Sequence, residues 1–195
     1  MRSISGGGLG VAVPPPGSPR PTVLGSPVPP PGGGEISDEA AQRAAVVAEA
    51  RSWLGTPYAH AQGLKRAGVD CGTLLVRCFV DSGIVEPFDP RPYSRTWFLH
   101  RDEEKYLDHI FARGGEIAEP PRSGDIVMWR IGRLYAHGAI VSKWPRVIHA
   151  YAPARMVIET DLSLPGVCSD EREHPKRFFS VWKHDERASA KREQI

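Results

Sequence analysis

The spacing of apolar residues changes along the chain and divides it into a helical part and a part made of strands. A helix start at Ser37, followed by small residues at helical spacing, predicts a first helix that ends near Gly55. Apolar residues recurring every three or four positions predict a second helix from Cys71, which Gly83 terminates. A third helical stretch is predicted over residues 94–113.

After a pair of prolines at 120 and 121 the pattern becomes that of strands. Five short segments rich in β-branched and aromatic residues are separated by turn residues, at 125–130, 136–142, 147–151, 156–161 and 178–183. Helices followed by antiparallel strands predict an α+β fold with a sheet of about five to six strands.

Composition sets the ends of the chain apart from its middle. Residues 1–35 are rich in proline and glycine with almost no charge, so they cannot form a core of their own. They are either a flexible linker or an extended arm that docks on a partner protein. We expect a folded domain over 36–184 and a charged tail over 185–195.

Charge and hydropathy exclude several classes of function. The net charge of +2 gives no case for nucleic-acid binding, for which a basic stripe is expected. We expect no secretory signal at the N-terminus and no membrane span, because no continuous apolar run of the required length is present. Three cysteines make a disulfide framework improbable on count alone.

The segment Asp70-Cys71-Gly72 places a cysteine at the start of the second predicted helix. The N-terminus of a helix carries roughly half a positive charge, which stabilises a thiolate, and its unpaired amides can receive an oxyanion. Cys71 therefore suits a nucleophile. The alternative is a buried core cysteine, which describes Cys78 well; Cys168 lies in a polar loop without a visible partner.

A nucleophilic cysteine needs a base, and two of the seven histidines lie on predicted strands. If the strands carrying His137 and His149 form a hairpin centred on Lys143, the two rings face each other to within a residue or two. That is the geometry of a base and its orienting group. His60, in the loop before Cys71, either lines a substrate groove or is exposed. The remaining histidines are expected to be solvated or to lie near the C-terminus, namely His100, His109, His174 and His184.

A metal site is the competing interpretation of the cysteines and histidines. The sequence contains no closely spaced cysteine pair and no H-E-x-x-H motif, and it has no phosphate-binding glycine pattern. We therefore predict no metal and no cofactor.

Five short motifs in this order carry a resemblance to a known family. They are Trp53-Leu54-Gly55-Thr56-Pro57-Tyr58, Asp70-Cys71-Gly72, Ser123-Gly124-Asp125-Ile126-Val127, Ala136-His137-Gly138-Ala139-Ile140-Val141 and Val147-Ile148-His149-Ala150. Together they resemble the NlpC-type peptidoglycan endopeptidases, which are papain-like cysteine peptidases. The resemblance covers roughly residues 45–162.

The resemblance implies a papain-like fold in which the nucleophile helix packs on an antiparallel sheet. It implies Cys71 as nucleophile, His137 as general base and His149 as orienting residue. Tyr58, with Asp70 and Gly72, would position the reacting carbonyl or stabilise the oxyanion. The implied substrate is the stem peptide of peptidoglycan, commonly cut after γ-D-glutamate.

Two departures from the family pattern suggest a particular branch. The tyrosine is followed by Ala59-His60-Ala61-Gln62-Gly63 in place of a Trp-Gly-Gly-like stretch, and Gly72 stands where a serine is common. Together with Pro92-Tyr93-Ser94, this form is similar to the enzymes of tailed phages and phage-like particles. It implies location in a virion tail, with tail-tip or hub proteins as partners. A structural tail protein with an idle peptidase fold, and a thiol amidase or acyltransferase, remain as alternatives.

Overall fold

The computed structural model describes residues 35–93, 104–118, 120–164 and 174–183. The predicted tail, all but the last residue of the predicted arm, and residues 94–103 of the third predicted helix lie outside these ranges. The arm and the tail therefore remain predictions. None of the helices within the described ranges is long and apolar enough to cross a membrane.

Three helices and eight strands make up the described part of the chain. The helices are α1 (Glu35–Ser52), α2 (Cys71–Asp81) and α3 (Lys105–Phe111). The strands are β1 (Gly63–Leu64), β2 (Gly68–Val69), β3 (Gly115–Ile117), β4 (Ile126–Ile131), β5 (Leu134–Lys143), β6 (Arg146–Tyr151), β7 (Met156–Asp161) and β8 (Lys176–Ser180).

Six of the strands form one antiparallel sheet in the order β3-β8-β4-β5-β6-β7. The predicted α+β fold with its antiparallel sheet is thereby confirmed. The strands β1 and β2 form a separate two-stranded ribbon just before α2. Sequence periodicity misses this ribbon and β3 because two or three residues are too few to establish an alternation.

Helix α1 buries a different face from the one that the alanine spacing marks. The alanines at 41, 44, 45 and 48 are exposed, whereas Val46, Val47 and Ala50 are buried together with Arg43. Larger apolar side chains gain more from burial than alanine does. Arg43 is accommodated among them because its guanidinium donates to the buried carboxylate of Asp125 at 2.8 Å.

The last strand ends before the predicted boundary. β8 stops at Ser180, and the chain turns so that the amide of Lys183 donates to the carbonyl of Ser180. Trp182, whose aromatic side chain suggested a strand, turns towards α1 instead. There its indole lies under the guanidinium of Arg43 at 4.1 Å and donates to Gln42 at 2.7 Å.

Helix α2 packs directly on the sheet and so determines where its N-terminus lies. Its buried side chains, Leu74, Leu75, Cys78 and Phe79, join the main core with residues of β4, β5 and β6. The approach of helix and strand is closest at Gly138, where an added Cβ would lie 2.8 Å from Leu75 Cδ1. A residue with a side chain at 138 would separate α2 from β5.

Candidate active site

Cys71 is the first residue of α2, at a helix start that the adjacent side chains define. The carboxylate of Asp70 accepts from the amide of Thr73 at 2.9 Å, and the Thr73 hydroxyl lies 3.2 Å from the amide of Asp70. This reciprocal capping box fixes the first turn of the helix. Cys71 is partly exposed and is not in a disulfide. A reachable thiol therefore lies at the positive end of the helix dipole.

The sheet register brings His137 and His149 to the same face of β5 and β6. Counting outwards from the pair Ile140↔Ile148, position 149 faces 139, and 137 lies two residues further along the same face. The two rings are hydrogen bonded, with His137 Nε2 2.9 Å from His149 Nδ1. His149 is fully buried, and its Nε2 lies 3.3 Å from the hydroxyl of Thr160 on β7.

The hydrogen bond between the two rings distinguishes the two nitrogens of His137. Nε2 is the nitrogen engaged with His149, so a proton transfer by His137 would use Nδ1. The N-terminus of α2 meets β5 at this point, with Cys71 Sγ 3.9 Å from the carbonyl oxygen of Ala136, the residue before His137. The N-terminus of α2 thus approaches β5 directly beside His137.

Two aromatic side chains fix the planes of the imidazoles. Trp129 faces His137 in the β4–β5 register and stacks on it with ring centroids 5.5 Å apart and an interplanar angle of 29°. Tyr151 stacks on His149 at 5.0 Å and 24°. Trp129 is fully buried, so its position is set by the core. This packing restricts rotation of both rings about their side-chain bonds.

The carboxylate of Asp70 is saturated by donors from the protein. It accepts from the amide of Ala61 at 2.7 Å and from the hydroxyl of Tyr93 at 2.8 and 2.9 Å, besides Thr73. His60 Nδ1 lies 3.5 Å away. Asp70 is 2% exposed, and these contacts compensate the burial of its charge. In this structure Asp70 joins three segments around Cys71.

His60 is neither fully exposed nor isolated, which bears on both predicted alternatives. Its Nε2 lies 3.1 Å from the backbone carbonyl of Tyr93, and because a carbonyl only accepts, this nitrogen carries the proton. The two rings make an edge contact at 5.3 Å. Burial, and then the negative charge of Asp70, raise the pKa of the Tyr93 hydroxyl far above its ordinary value. Tyr93 is therefore a neutral donor at physiological pH.

The other residues predicted near the reacting carbonyl lie around the same helix end. Tyr58 is partly buried against the core, its amide donating to the carbonyl of Arg155 at 2.8 Å, and it pairs with Val69 in a short parallel bridge. Gly72 is partly exposed, with the hydroxyl of Tyr93 and the ring of Tyr106 nearby.

Of the remaining cysteines and histidines, Cys78 and His109 lie within the described ranges, and three others lie outside them. Cys78 is buried in the core, and burial raises the pKa of its thiol. His109 was expected to be solvated; it is partly buried. Its ring packs 5.6 Å from that of Phe88, and burial lowers its pKa. Cys168, His100 and His184 lie outside the described residues. Among the residues that the structure describes, no group of three metal-ligating side chains is found.

Sequence reasoning missed four residues at this site, namely Tyr93, Tyr106, Trp129 and Thr160. The strand register supplies a signal for Trp129, which faces His137 across β4 and β5. To place Thr160 beside His149, the pairing of β6 with β7 must also be known. Tyr93 and Tyr106 lie on irregular backbone and on a short helix, where no spacing rule relates them to Cys71.

Comparisons with known proteins establish the fold. No protein-family model matches the sequence, and no curated protein matches it significantly. Solved structures do match, with a TM-score of 0.50 in each of three cases. One is the peptidoglycan hydrolase RipB from Mycobacterium tuberculosis, at 15% identity, covering 74% of this chain and 67% of that one.

The other two structures come from different bacteria. The P60 domain of an antigen from M. avium subspecies paratuberculosis is 16% identical, with 74% of this chain and 98% of that chain covered. A protein similar to lipoprotein, of the NLP/P60 family, from Staphylococcus aureus is 21% identical, with 70% of this chain and 41% of that chain covered. The chain therefore has the papain-like α+β fold that these structural neighbours, NlpC/P60 peptidoglycan hydrolases among them, share.

Proposed function

We propose that this chain is a cysteine peptidase that hydrolyses amide bonds in the stem peptide of bacterial peptidoglycan. The observation that carries the proposal is that the start of α2, with Cys71, lies beside the part of β5 that carries His137. The capped N-terminus of α2 places Cys71 Sγ 3.9 Å from the carbonyl of Ala136, and the next residue is hydrogen bonded to His149 at 2.9 Å. Structural likeness to a peptidoglycan hydrolase supports the choice of substrate.

The proposed reaction proceeds through an acyl-enzyme. Cys71 thiolate attacks the amide carbonyl, and His137 donates its Nδ1 proton to the departing amine. The same nitrogen then removes a proton from water, which attacks the thioester, releases the carboxylic acid and restores the Cys71 thiolate. Unpaired backbone amides at the start of α2, with Tyr58, stabilise the oxyanion. His149, held by Thr160, keeps the ring of His137 in the productive orientation.

The test is digestion of purified peptidoglycan by the full chain, followed by mass spectrometry of the released fragments. Cys71→Ala should abolish release, whereas Cys78→Ala, a matched change in the same helix, should retain it because Cys78 is buried in the core. Fragments ending after γ-D-glutamate would identify the bond that the family resemblance implies. Unchanged release by Cys71→Ala would refute the assignment of the nucleophile.

The same experiment, together with the reactivity of Cys71 towards a thiol reagent, separates the two alternatives. A thiol amidase or acyltransferase would leave stem peptides uncut but would modify another amide or ester, which the fragment masses report. A structural protein with an idle fold would give no product, and its Cys71 would not react faster with a thiol reagent than an ordinary cysteine.

We propose further that the enzyme acts as a component of a phage or phage-like tail tip and that tail-tip or hub proteins are its partners. The loop residues His60 and Gln62, with Pro92-Tyr93-Ser94, support this through their resemblance to enzymes of such particles. Peptides of this chain should appear in mass spectra of purified, intact particles. Their absence from particles that contain all other tail proteins would contradict the proposed location.

A further inference from the structure

The side chain of Tyr106 reaches from α3 to the point where the nucleophile helix meets the strand of the base. Its hydroxyl oxygen is buried and lies 3.0 Å from where a Cβ of residue 138 would stand. Its ring carbon Cζ lies 3.8 Å from where a Cβ of Gly72 would stand. The phenol therefore occupies the space between the residue after Cys71 and the residue after His137.

Both flanking positions are glycines, and this is why the phenol can approach so closely. At Gly138 a methyl group would meet the Tyr106 hydroxyl, Leu75 Cδ1 and Met128 Sδ at 3.0 Å or less. The amide of Tyr135 donates to the carboxylate of Glu104 at 3.1 Å, which fastens the start of α3 to β5 near this point. The position of Tyr106 is thus set by the hydrogen bond between Glu104 and β5 and by the core side chains that pack around Gly138.

The chemistry of the phenol suits a permanent donor. Burial raises the pKa of Tyr106 well above its ordinary value, and the charge of the nearby Cys71 side chain raises it further. The hydroxyl therefore stays protonated across the physiological range. A neutral O–H beside a sulfur that ionises stabilises the thiolate more than the thiol, because hydrogen bonds to charged groups are the stronger ones.

We propose that the Tyr106 hydroxyl donates a hydrogen bond to the Cys71 thiolate and so makes the nucleophile more acidic. Tyr106 is thereby a catalytic residue, supplied by α3. It acts in addition to the helix dipole and to His137. The inference rests on the proposed role of Cys71 as nucleophile but not on the identity of the substrate.

The test is the pH dependence of alkylation of Cys71 by iodoacetamide, which measures ionisation of the thiol without any peptidoglycan. Tyr106→Phe removes only the hydroxyl and keeps the ring between the two glycines. The midpoint should rise by about one pH unit, so that the thiolate fraction below the midpoint falls about tenfold. At high pH the alkylation rate should match the wild-type rate to within about twofold, since both thiols are then ionised.

Two further variants make the result specific. Tyr135→Phe removes a hydroxyl from a ring beside Arg177, 5.3 Å from its guanidinium, and should leave the midpoint unchanged. Cys71→Ala supplies the background from the other cysteines. A Tyr106→Phe midpoint equal to that of the wild type would overturn the inference. A shifted midpoint in a protein that leaves peptidoglycan intact would support it while refuting the proposed substrate.

Discussion

Replacing Gly138 by alanine tests whether the close approach of α2 to β5 is what assembles the site. The added methyl would lie 2.7 Å from Met128 Sδ, 2.8 Å from Leu75 Cδ1 and 3.0 Å from the Tyr106 hydroxyl. These atoms belong to side chains of β4, α2 and α3, so relief of the contact shifts at least one side chain that packs beside the site. The substitution is small in volume and falls where no space exists.

The magnitude follows from the kind of contact. Overpacking a well-filled core costs about 1–3 kcal/mol in the free energy of unfolding. The ends of the Met128 and Leu75 side chains can yield, so we expect about 2 kcal/mol. Because Leu75 lies one turn after Cys71 in α2, its displacement carries the thiol with it. A displacement of about 1 Å lowers the rate of the chemical step by up to about 100-fold.

Urea unfolding followed by circular dichroism measures the first quantity, and the rate of Cys71 alkylation or peptidoglycan digestion measures the second. Gly63→Ala is the matched control. Its added methyl meets no atom closer than 3.6 Å, an ordinary contact, so we expect a change within about 0.5 kcal/mol.

A second substitution identifies the cause. Met128→Ala in the Gly138→Ala background vacates the closest contact, so the loss in the double variant should be smaller than the sum of the two single losses. Strict additivity, or a Gly138→Ala protein as stable and as reactive as the wild type, would refute the steric explanation.

Three further predictions concern the orienting residue, the buried ion pair and the response to acid. His149→Ala should lower the rate of peptidoglycan digestion by about 10–100-fold, less than removal of the general base, because it orients the ring without transferring a proton; a wild-type rate would remove it from the site. Arg43→Met should lower the free energy of unfolding, measured in urea, by about 3–5 kcal/mol, because the buried carboxylate of Asp125 loses its countercharge. Adding Asp125→Leu should recover part of that loss. An Arg43→Met protein as stable as the wild type would contradict this. The hydrogen bond from Arg51 lowers the pKa of Glu159. The stability that the ionised Glu159 contributes is therefore complete above about pH 4.3, its value in the unfolded chain, and is lost as the pH falls through the lower value of the folded protein. Arg51→Met should weaken this dependence of the unfolding free energy on acid pH, and a pH profile identical to that of the wild type would exclude the pair as a cause.

Much of the fold follows from the sequence because its elements are long enough to show a period. Helix α2 begins at Cys71 and strand β7 covers 156–161, as their patterns predict. Helix α1 shows the limit of the method. Its alanine spacing indicates a helix but not the buried face, because burial of Arg43 depends on Asp125, which lies 82 residues away in sequence. Pattern alone cannot identify that partner.

The site divides in the same way. His137 and His149 could be related from the sequence, since a hairpin constrains its two strands to a narrow range of registers. The contacts of Asp70 with Tyr93 and of Cys71 with Tyr106 could not. They join residues from segments far apart in sequence at the start of α2, and no local rule predicts such a meeting. The residues most easily found were therefore those on regular structure.

Gly72 and Gly138 each follow a proposed catalytic residue, Cys71 and His137, but glycine occurs at the two positions for different physical reasons. At Gly138 a side chain would force its neighbours to shift, so packing favours glycine. At Gly72 an added Cβ would lie 3.6 Å from the Tyr93 hydroxyl and 3.7 Å from Asp70 Oδ1, which are ordinary contacts. Packing therefore does not force the departure from the serine that the resembled family commonly has there. The Tyr93 hydroxyl, the Asp70 carboxylate and the Tyr106 ring already approach this position, so other segments supply the polar groups around Cys71, and a side chain at 72 would compete with them for that space.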